Sequence, residues 1–194
     1  MAKLKAREDK ENDTGNKPRG KPPTPPTAGP RTTDPLNLTA PDSRVMPGPG
    51  GSFEQSYNAQ AAVDTDTMRV VATPLTQAAN DKQQISPMLH TLGHLPEALG
   101  MVTQILADAG YYSAANVERC VAANIEPFIA TGRESPHLPW EARFTEPAPL
   151  ADGADAVEQM KHRLKTRAGR ALYGLRKQTV EPVFGIIKAV MRFR

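Results

Sequence analysis

The sequence predicts an α/β domain with a mixed sheet and flanking helices, preceded by a long proline-rich segment. From residue 53 onwards, short β-branched runs alternate with runs of helical spacing in the order β-β-α-β-α-β-α. That order is typical of a mixed sheet covered by helices. Residues 1–50 hold 10 of the 19 prolines and show no apolar period. We therefore expect residues 1–50 to be disordered or extended and residues 51–194 to form the folded domain.

The elements of residues 51–194 follow from local signals. Two apolar runs at 57–63 and 68–73 flank the turn composition of residues 64–67, which predicts a hairpin. A helix is expected to about residue 95, with Asn80 or Asp81 as its N-cap, and another after Ser113. Short strands are expected at 101–107 and 126–131, and a loop at 132–155. From about residue 157 the pattern is helical, with Pro182 either in a first turn or at a kink.

Composition narrows the class of protein. The single cysteine, Cys120, cannot form an internal disulfide, which fits a reducing cytoplasm. No apolar run approaches the roughly 20 residues of a membrane span. Residues 161–194 carry ten Lys or Arg and one acid, whereas residues 32–160 carry six Lys or Arg and sixteen Asp or Glu. The basic end is typical of a protein that meets an anionic polymer, and the acidic middle could hold metal ions. The alternative is a soluble protein with a basic tail.

Asp108 is a candidate functional residue because of its place at the end of a predicted strand. It directly follows an apolar run and precedes a glycine by two positions. Functional groups of open α/β sheets collect outside the carboxyl ends of strands. The alternative is an aspartate that only caps or forms a turn.

Glu181 is the second candidate, since it is the one acid among the last 34 residues. Lys188 follows seven residues later, close to two helical turns, and shares its face. Arg176 and Lys177 lie about one turn earlier, and Tyr173 one turn before them. This face would present a carboxylate for metal, flanked by donors for phosphate. The alternative is a simple ion pair between Glu181 and a neighbour such as Lys177.

Two segments resemble bacterial transposases of the DDE type, whose core is ribonuclease-H-like. Residues 173–188, YGLRKQTVEPVFGIIK, resemble the Tyr–Arg–Glu–Lys signature of that family, and residues 106–113, LADAGYYS, resemble its second-carboxylate motif. PDSRVM at 41–46 and YNAQAAVD at 57–64 are similar to family text as well, so the resemblance covers about residues 38–194. The signature has Arg four residues before Glu, where this chain has Lys177; Arg176 lies five before.

The resemblance implies a function in DNA transposition. It implies that Asp108 and Glu181 are catalytic carboxylates that bind Mg²⁺, in two-metal strand cleavage and transfer. Four side chains would bind DNA: Tyr173, Arg176, Lys177 and Lys188. The implied partners are transposon ends and a second copy of the chain in a synaptic complex, in the nucleoid-associated part of the cytoplasm.

The family also requires a first aspartate on a strand before the hairpin. Asp34 precedes a proline and Asp42 lies in the linker-like PDSR segment, so neither is expected on a strand, and Asp64 is interpreted as a turn residue. We therefore expect an incomplete ribonuclease-H-like fold and an inactive, truncated fragment with exposed apolar sheet edges. Two alternatives remain: a DNA-binding module without chemistry, which uses the basic C-terminal helices, and a basic-tailed protein with no DNA role.

Overall fold

The computed structural model describes residues 39–48, 51–132 and 145–192. The described residues from 42 onwards belong to one compact unit. Most of the proline-rich segment, residues 1–38, lies outside the described residues.

The first two strands correct one expectation. Strand β1, Arg44–Pro47, pairs antiparallel with β2, Phe53–Ser56. The sequence predicted no element before residue 53, and that prediction is wrong for Arg44–Pro47. Proline and glycine flank this strand on both sides, so the composition of the region does not indicate a strand of four residues. Met46 is nonetheless buried, at 6% exposure, and anchors the strand.

The predicted hairpin is confirmed, in a form interrupted by an irregularity. Its first arm consists of β3, Asn58–Ala59, and β4, Ala62–Val63. Its second arm consists of β5, Val70–Ala72, and β6, Leu75–Thr76. The pairs β4–β5 and β3–β6 are antiparallel, and the register shifts between residues 62 and 63. The hairpin thus consists of two short two-stranded ladders, which residues 60–61 and 73–74 separate, and the register shift lies within the β4–β5 ladder.

The first helix differs from its prediction at both ends. A 3₁₀ turn, Asp81–Gln83, leads into helix α1, Ile85–Leu92, which ends before Gly93 rather than near residue 95. The expected side-chain cap at Asn80 is absent, and Asp81 is the first residue of the turn. The prediction of a side-chain N-cap at Asn80 or Asp81 is therefore wrong, and the Asp81 carboxylate accepts hydrogen bonds from the hairpin instead.

A β-α-β unit follows, as the sequence predicted. Strand β7, Gln104–Ala107, is joined by a 3₁₀ turn, Ala109–Tyr111, to helix α2, Ala114–Ala122. The hydroxyl of Ser113 accepts from the N–H of Asn116 and caps α2. Strand β8, Glu126–Ile129, then pairs in parallel with β7. A short 3₁₀ turn, Glu97–Leu99, lies between α1 and β7.

The C-terminal part is helical. Helix α3, Ala156–Lys165, begins with a capping box formed by Asp155 and Glu158. One residue later helix α4, Arg167–Gly185, begins, and a π-helical turn, Ile186–Val190, follows it. Pro182 lies inside α4, so it does not start a new helix. The π turn directly beyond it is the kind of irregularity that accompanies a lost helical hydrogen bond.

The core forms where the β-α-β unit meets the helices. Its buried members are mostly aliphatic, as the scarcity of aromatic residues implies: Ile85, Ala107, Val117, Cys120, Phe128, Ile129, Met160 and Leu164. A smaller cluster joins the hairpin to α1 through Ala72, Met88 and Leu92. The described part of the chain is thus a mixed α/β fold of small sheets and four α-helices, as predicted at that level. None of its helices is both long enough and apolar enough to cross a bilayer.

Two glycines of α4 should respond oppositely to alanine. A Cβ on Gly169 would overlap the carbonyl of Arg163, because the two helices are joined by Thr166 alone. Gly174 has nothing within 4 Å of its Cβ position. Gly169→Ala should lower the free energy of unfolding by about 1–3 kcal/mol through overpacking. Gly174→Ala should raise it by about 0.5–1 kcal/mol through helix propensity. Chemical denaturation of both variants measures this, and a stabilising Gly169→Ala would contradict the described junction.

Candidate functional site

The two sequence-predicted carboxylates line one cavity, although 73 positions separate them. This cavity, here called the Asp108–Glu181 cavity, has a volume of about 1080 Å³. It is lined by residues of the hairpin, of α1, of β7 and of α4. Its charged residues are Asp64, Asp66, Arg69, Asp108, Arg176, Glu181 and Lys188.

Asp108 lies where β7 ends. Its backbone is extended, and its Oδ1 accepts a hydrogen bond of 2.8 Å from the N–H of Gly110. A Cβ at Gly110 would lie 2.9 Å from that oxygen, so a side chain there would press on the carboxylate. Asp108 is therefore a cap, as the alternative interpretation held, and also an exposed carboxylate at the cavity.

Glu181 lies on α4, with its side chain 56% exposed. Arg176 Nη2 lies 3.6 Å from Glu181 Oε1, an ion pair within one helix. Lys188 Nζ lies 5.7 Å from the centre of the Phe184 ring, at the edge of the same cavity. One acid and two cations therefore face a single space, as the helical spacing predicted.

Tyr173 and Lys177 have different surroundings. The Tyr173 hydroxyl donates to the carbonyl of Ala107 at 3.1 Å and so joins α4 to the residue before Asp108. The guanidinium carbon of Arg176 lies 5.6 Å from the centre of the Tyr173 ring. Lys177 is exposed and is not part of the cavity lining. Of the two cations that could match the family's arginine, Arg176 is thus the one beside Glu181.

Asp64 behaves as the turn residue that the sequence predicted. Its Oδ2 accepts from the N–H of Thr67 at 3.0 Å and from the Thr67 hydroxyl. These hydrogen bonds hold the pKa of the Asp64 carboxyl below its usual value. Asp64 also lines the Asp108–Glu181 cavity, which the sequence did not indicate.

A second carboxylate, Asp81, lies near Asp108 and was missed by sequence reasoning. Its Oδ1 accepts from the side-chain amides of Asn58 and Gln60, both at 2.9 Å, and Tyr111 donates to Gln60 Oε1. A Cβ at Gly110 would lie 3.4 Å from Asp81 Oδ2, so both carboxylates flank that glycine. We call Asn58, Gln60, Asp81 and Tyr111 the Asp81 network. The sequence feature that could have indicated this network is the pair Asn58 and Gln60, two amide side chains on the same face of a predicted strand.

Asn116 joins the turn after Asp108 to the turn that begins at Asp81. Its amide nitrogen donates to the carbonyls of Lys82 and Tyr111, both at 2.7 Å, and Arg119 donates to its Oδ1 at 3.1 Å. Asn116 is 1% exposed, so its side-chain amide is held away from water. The position of Asp108 therefore depends on a buried polar link as well as on β7.

Tyr111 offers a test of the Asp81 network. Burial raises the pKa of its hydroxyl, and the negative charges of Asp81 and Asp108 raise it further. The pKa of Tyr111 in the folded chain lies above the unfolded value of about 10. The contribution of the neutral Tyr111 hydroxyl to the free energy of unfolding is therefore complete below about pH 10 and declines above it. Tyr111→Phe should lower the free energy of unfolding by about 1–3 kcal/mol at pH 7, since buried Gln60 loses its donor, and should remove this alkaline decline. Tyr112→Phe is the matched control; equal pH profiles for wild type and Tyr111→Phe would contradict the network.

The donor set of the Asp108–Glu181 cavity suits a hard divalent cation. Carboxylate oxygens are ligands that Mg²⁺ accepts, and Mg²⁺ is commonly held by one or two carboxylates together with waters and substrate phosphates. Within residues 39–48, 51–132 and 145–192, no three His, Cys, Asp or Glu side chains cluster closely enough to hold a metal. A divalent cation bound by a carboxylate of this cavity would therefore need water or phosphate oxygens as its remaining ligands.

Comparison with known proteins places the chain in a family. No curated protein and no solved structure matches it. The family model described as the transposase DDE domain matches residues 33–194, well over half of the chain. That range includes the hairpin, the β-α-β unit and both carboxylates that line the cavity. The chain therefore belongs to the transposase DDE domain family.

Proposed function

We propose that this chain acts in DNA transposition by binding the DNA backbone along α4, with Asp108 and Glu181 as the metal-binding carboxylates of strand cleavage and transfer. The observation that carries the proposal is the shared cavity, where Asp108 and Glu181 lie with Arg176 and Lys188. A bound Mg²⁺ would supply charge stabilisation at the scissile phosphate. The two cations would hold the flanking phosphates. The family match supports a role in transposition.

We propose that the chain forms an incomplete ribonuclease-H-like core, which binds DNA and does not cut it alone. Two of the three carboxylates expected from the resemblance, Asp108 and Glu181, line the cavity. Asp64, which also lines it, is held by Thr67 in the hairpin turn. The alternative of a purely DNA-binding module is favoured by the Arg176–Glu181 ion pair, in which the carboxylate already has a cationic partner.

Metal-dependent DNA binding distinguishes a domain whose carboxylates bind metal from a purely DNA-binding module. Fluorescence anisotropy with a labelled transposon-end duplex is measured without metal and with Mn²⁺, a spectroscopically visible substitute for Mg²⁺. Asp108→Asn and Glu181→Gln each remove a negative charge, so both variants should bind at least as tightly as wild type without metal. With Mn²⁺, wild type should gain affinity several-fold and the variants should not.

Electron paramagnetic resonance of Mn²⁺ provides the readout without DNA. Wild type should reduce the signal of free Mn²⁺ more than Asp108→Asn does, with Glu118→Gln, an exposed acid of α2, as the matched control. Equal Mn²⁺ effects in all variants would leave the binding module without chemistry. Mg²⁺-dependent nicking by the chain alone, lost in Asp108→Asn, would contradict the proposed inactivity.

We further propose that two copies of the chain join two DNA ends. The support is the family match, since strand transfer brings two ends together. Light scattering after size-exclusion chromatography should give the mass of one chain without DNA and of two chains with a transposon-end duplex. One chain per duplex under both conditions would contradict this part of the proposal.

A further inference from the structure

We infer that the Asp108–Glu181 cavity is also a docking slot for one extended strand of a separate polypeptide, which would join the hairpin and β7 into a single sheet. The residues that line the cavity show where this slot lies. Residues 61–64 line it without interruption, and so do residues 101–108. Side chains of a strand alternate between its two faces. An unbroken run of lining residues therefore means that the cavity lies along the edge of each strand.

The hydrogen bonds of β7 show which edge this is. The carbonyls of Thr103 and Ala107 accept from Glu126 and Ala130, on the side of β8. Peptide groups of successive residues in a parallel strand point to opposite edges. The peptide groups of Gln104 and Leu106 therefore point away from β8. Among the residues that the structure describes, no strand other than β8 pairs with β7.

The hairpin presents a similar edge. The N–H groups of Gln60 and Asp64 donate to Pro74 and Arg69, across the hairpin. The peptide groups of Ala61 and Val63 therefore point to the outer edge, away from β5. Within the ranges that the structure describes, β4 pairs only with β5. Two edges with available backbone donors and acceptors thus line the same cavity.

The spacing fits one inserted strand. Helix α4 contacts both β4 and β7. A helix is about 10 Å across, and two strand spacings also come to about 10 Å. Strands β4 and β7 can therefore both contact α4 with a single strand between them.

The chemistry of the occupant follows from the lining. Both edges require alternating N–H and C=O groups, which an extended polypeptide supplies and a nucleic acid does not. The part of the lining that comes from the region of α1 and from the first half of α4 is apolar, with Met88, Leu92 and Leu95 from the former and Leu172 and Leu175 from the latter. A strand in contact with such residues is expected to be a continuous apolar run rich in Val and Ile. We commit to that occupant: a short β-branched apolar segment of another chain.

The test is amide exchange of the full chain, followed residue by residue by nuclear magnetic resonance. The probe is a synthetic peptide with a Val-Ile-Val-Ile-Val centre and lysines at both ends for solubility. Without peptide, the N–H groups of Val63, Gln104 and Leu106 should exchange faster than that of Ile105, which faces β8. Saturating peptide should slow Val63, Gln104 and Leu106 at least tenfold and leave Ile105 unchanged.

A second peptide with proline at two central positions is the matched control. It has similar apolar character but lacks two N–H donors, so it should give no protection. Equal protection by both peptides would overturn the inference, and so would no change with the first peptide. Protection by duplex DNA alone would overturn it in favour of a nucleic-acid groove. Protection that appears on raising the protein concentration alone would overturn it in favour of a second copy.

Discussion

Replacing Asn116 by aspartate is expected to lower the free energy of unfolding by about 2–6 kcal/mol, because two carbonyls lose their donor at about 1–3 kcal/mol each, and only Arg119 remains as a partner of the new carboxylate. The new carboxylate would face the carbonyls of Lys82 and Tyr111, which now accept hydrogen bonds from the amide at 2.7 Å. The substitution barely changes the volume of the side chain, so its effect comes from the two lost donors and the added charge rather than from packing. Since domains of this size are stable by only about 5–15 kcal/mol, a large part of the margin would be lost.

Asn116→Ala separates the charge from the missing hydrogen bonds. It removes the donors without adding a carboxylate, so the two carbonyls lose their hydrogen bonds but meet no negative charge, and the expected loss is smaller than that of Asn116→Asp. The matched control is Asn124→Asp at an exposed position with φ of 57°, a conformation that aspartate tolerates. That control should change stability by less than about 0.5 kcal/mol. Urea denaturation measures all three, and similar midpoints for Asn116→Asp and Asn124→Asp would contradict the buried link.

The sequence predicted the elements whose signals are local. The hairpin turn at Asp64, the cap at Ser113 and the β-α-β order all follow from residues close to one another in the chain. The pairing of Glu181 with a cation on its own helix is also local, although the partner is Arg176 rather than Lys177. Helical periodicity placed Glu181 and Lys188 on one face, and both line the cavity.

Long-range contacts were the part that local signals could not supply. Asp81 had the position of a helix cap, yet Asn58 and Gln60 from the hairpin bind its carboxylate. Tertiary hydrogen bonds thus outweighed the local capping preference. Strand β1 was hidden for a similar reason, because its order depends on pairing with β2 across the turn that Gly48 and Ser52 close.

The cations of α4 should differ in their contribution to DNA binding. We expect Arg176→Ala and Lys188→Ala each to weaken binding of a transposon-end duplex more than Lys177→Ala does. Arg176 and Lys188 line the cavity with Glu181, whereas Lys177 is exposed elsewhere. A phosphate held near the carboxylates would therefore contact the first two. Each lost phosphate contact should reduce the slope of log K against log salt by about 0.9, so the double variant should lose about 1.8 in slope.

Anisotropy titrations between about 50 and 200 mM salt measure these slopes. Lys161→Ala, an exposed cation on α3, is the matched control and should change the slope least. Arg176 also pairs with Glu181 and lies over Tyr173, so thermal unfolding must show that Arg176→Ala remains folded under the assay conditions. Equal losses for all four substitutions would mean diffuse attraction to a basic surface rather than a phosphate held at the cavity. Absence of binding by wild type at about 50 mM salt would remove the DNA role altogether, because a surface that binds phosphates binds most tightly at low ionic strength.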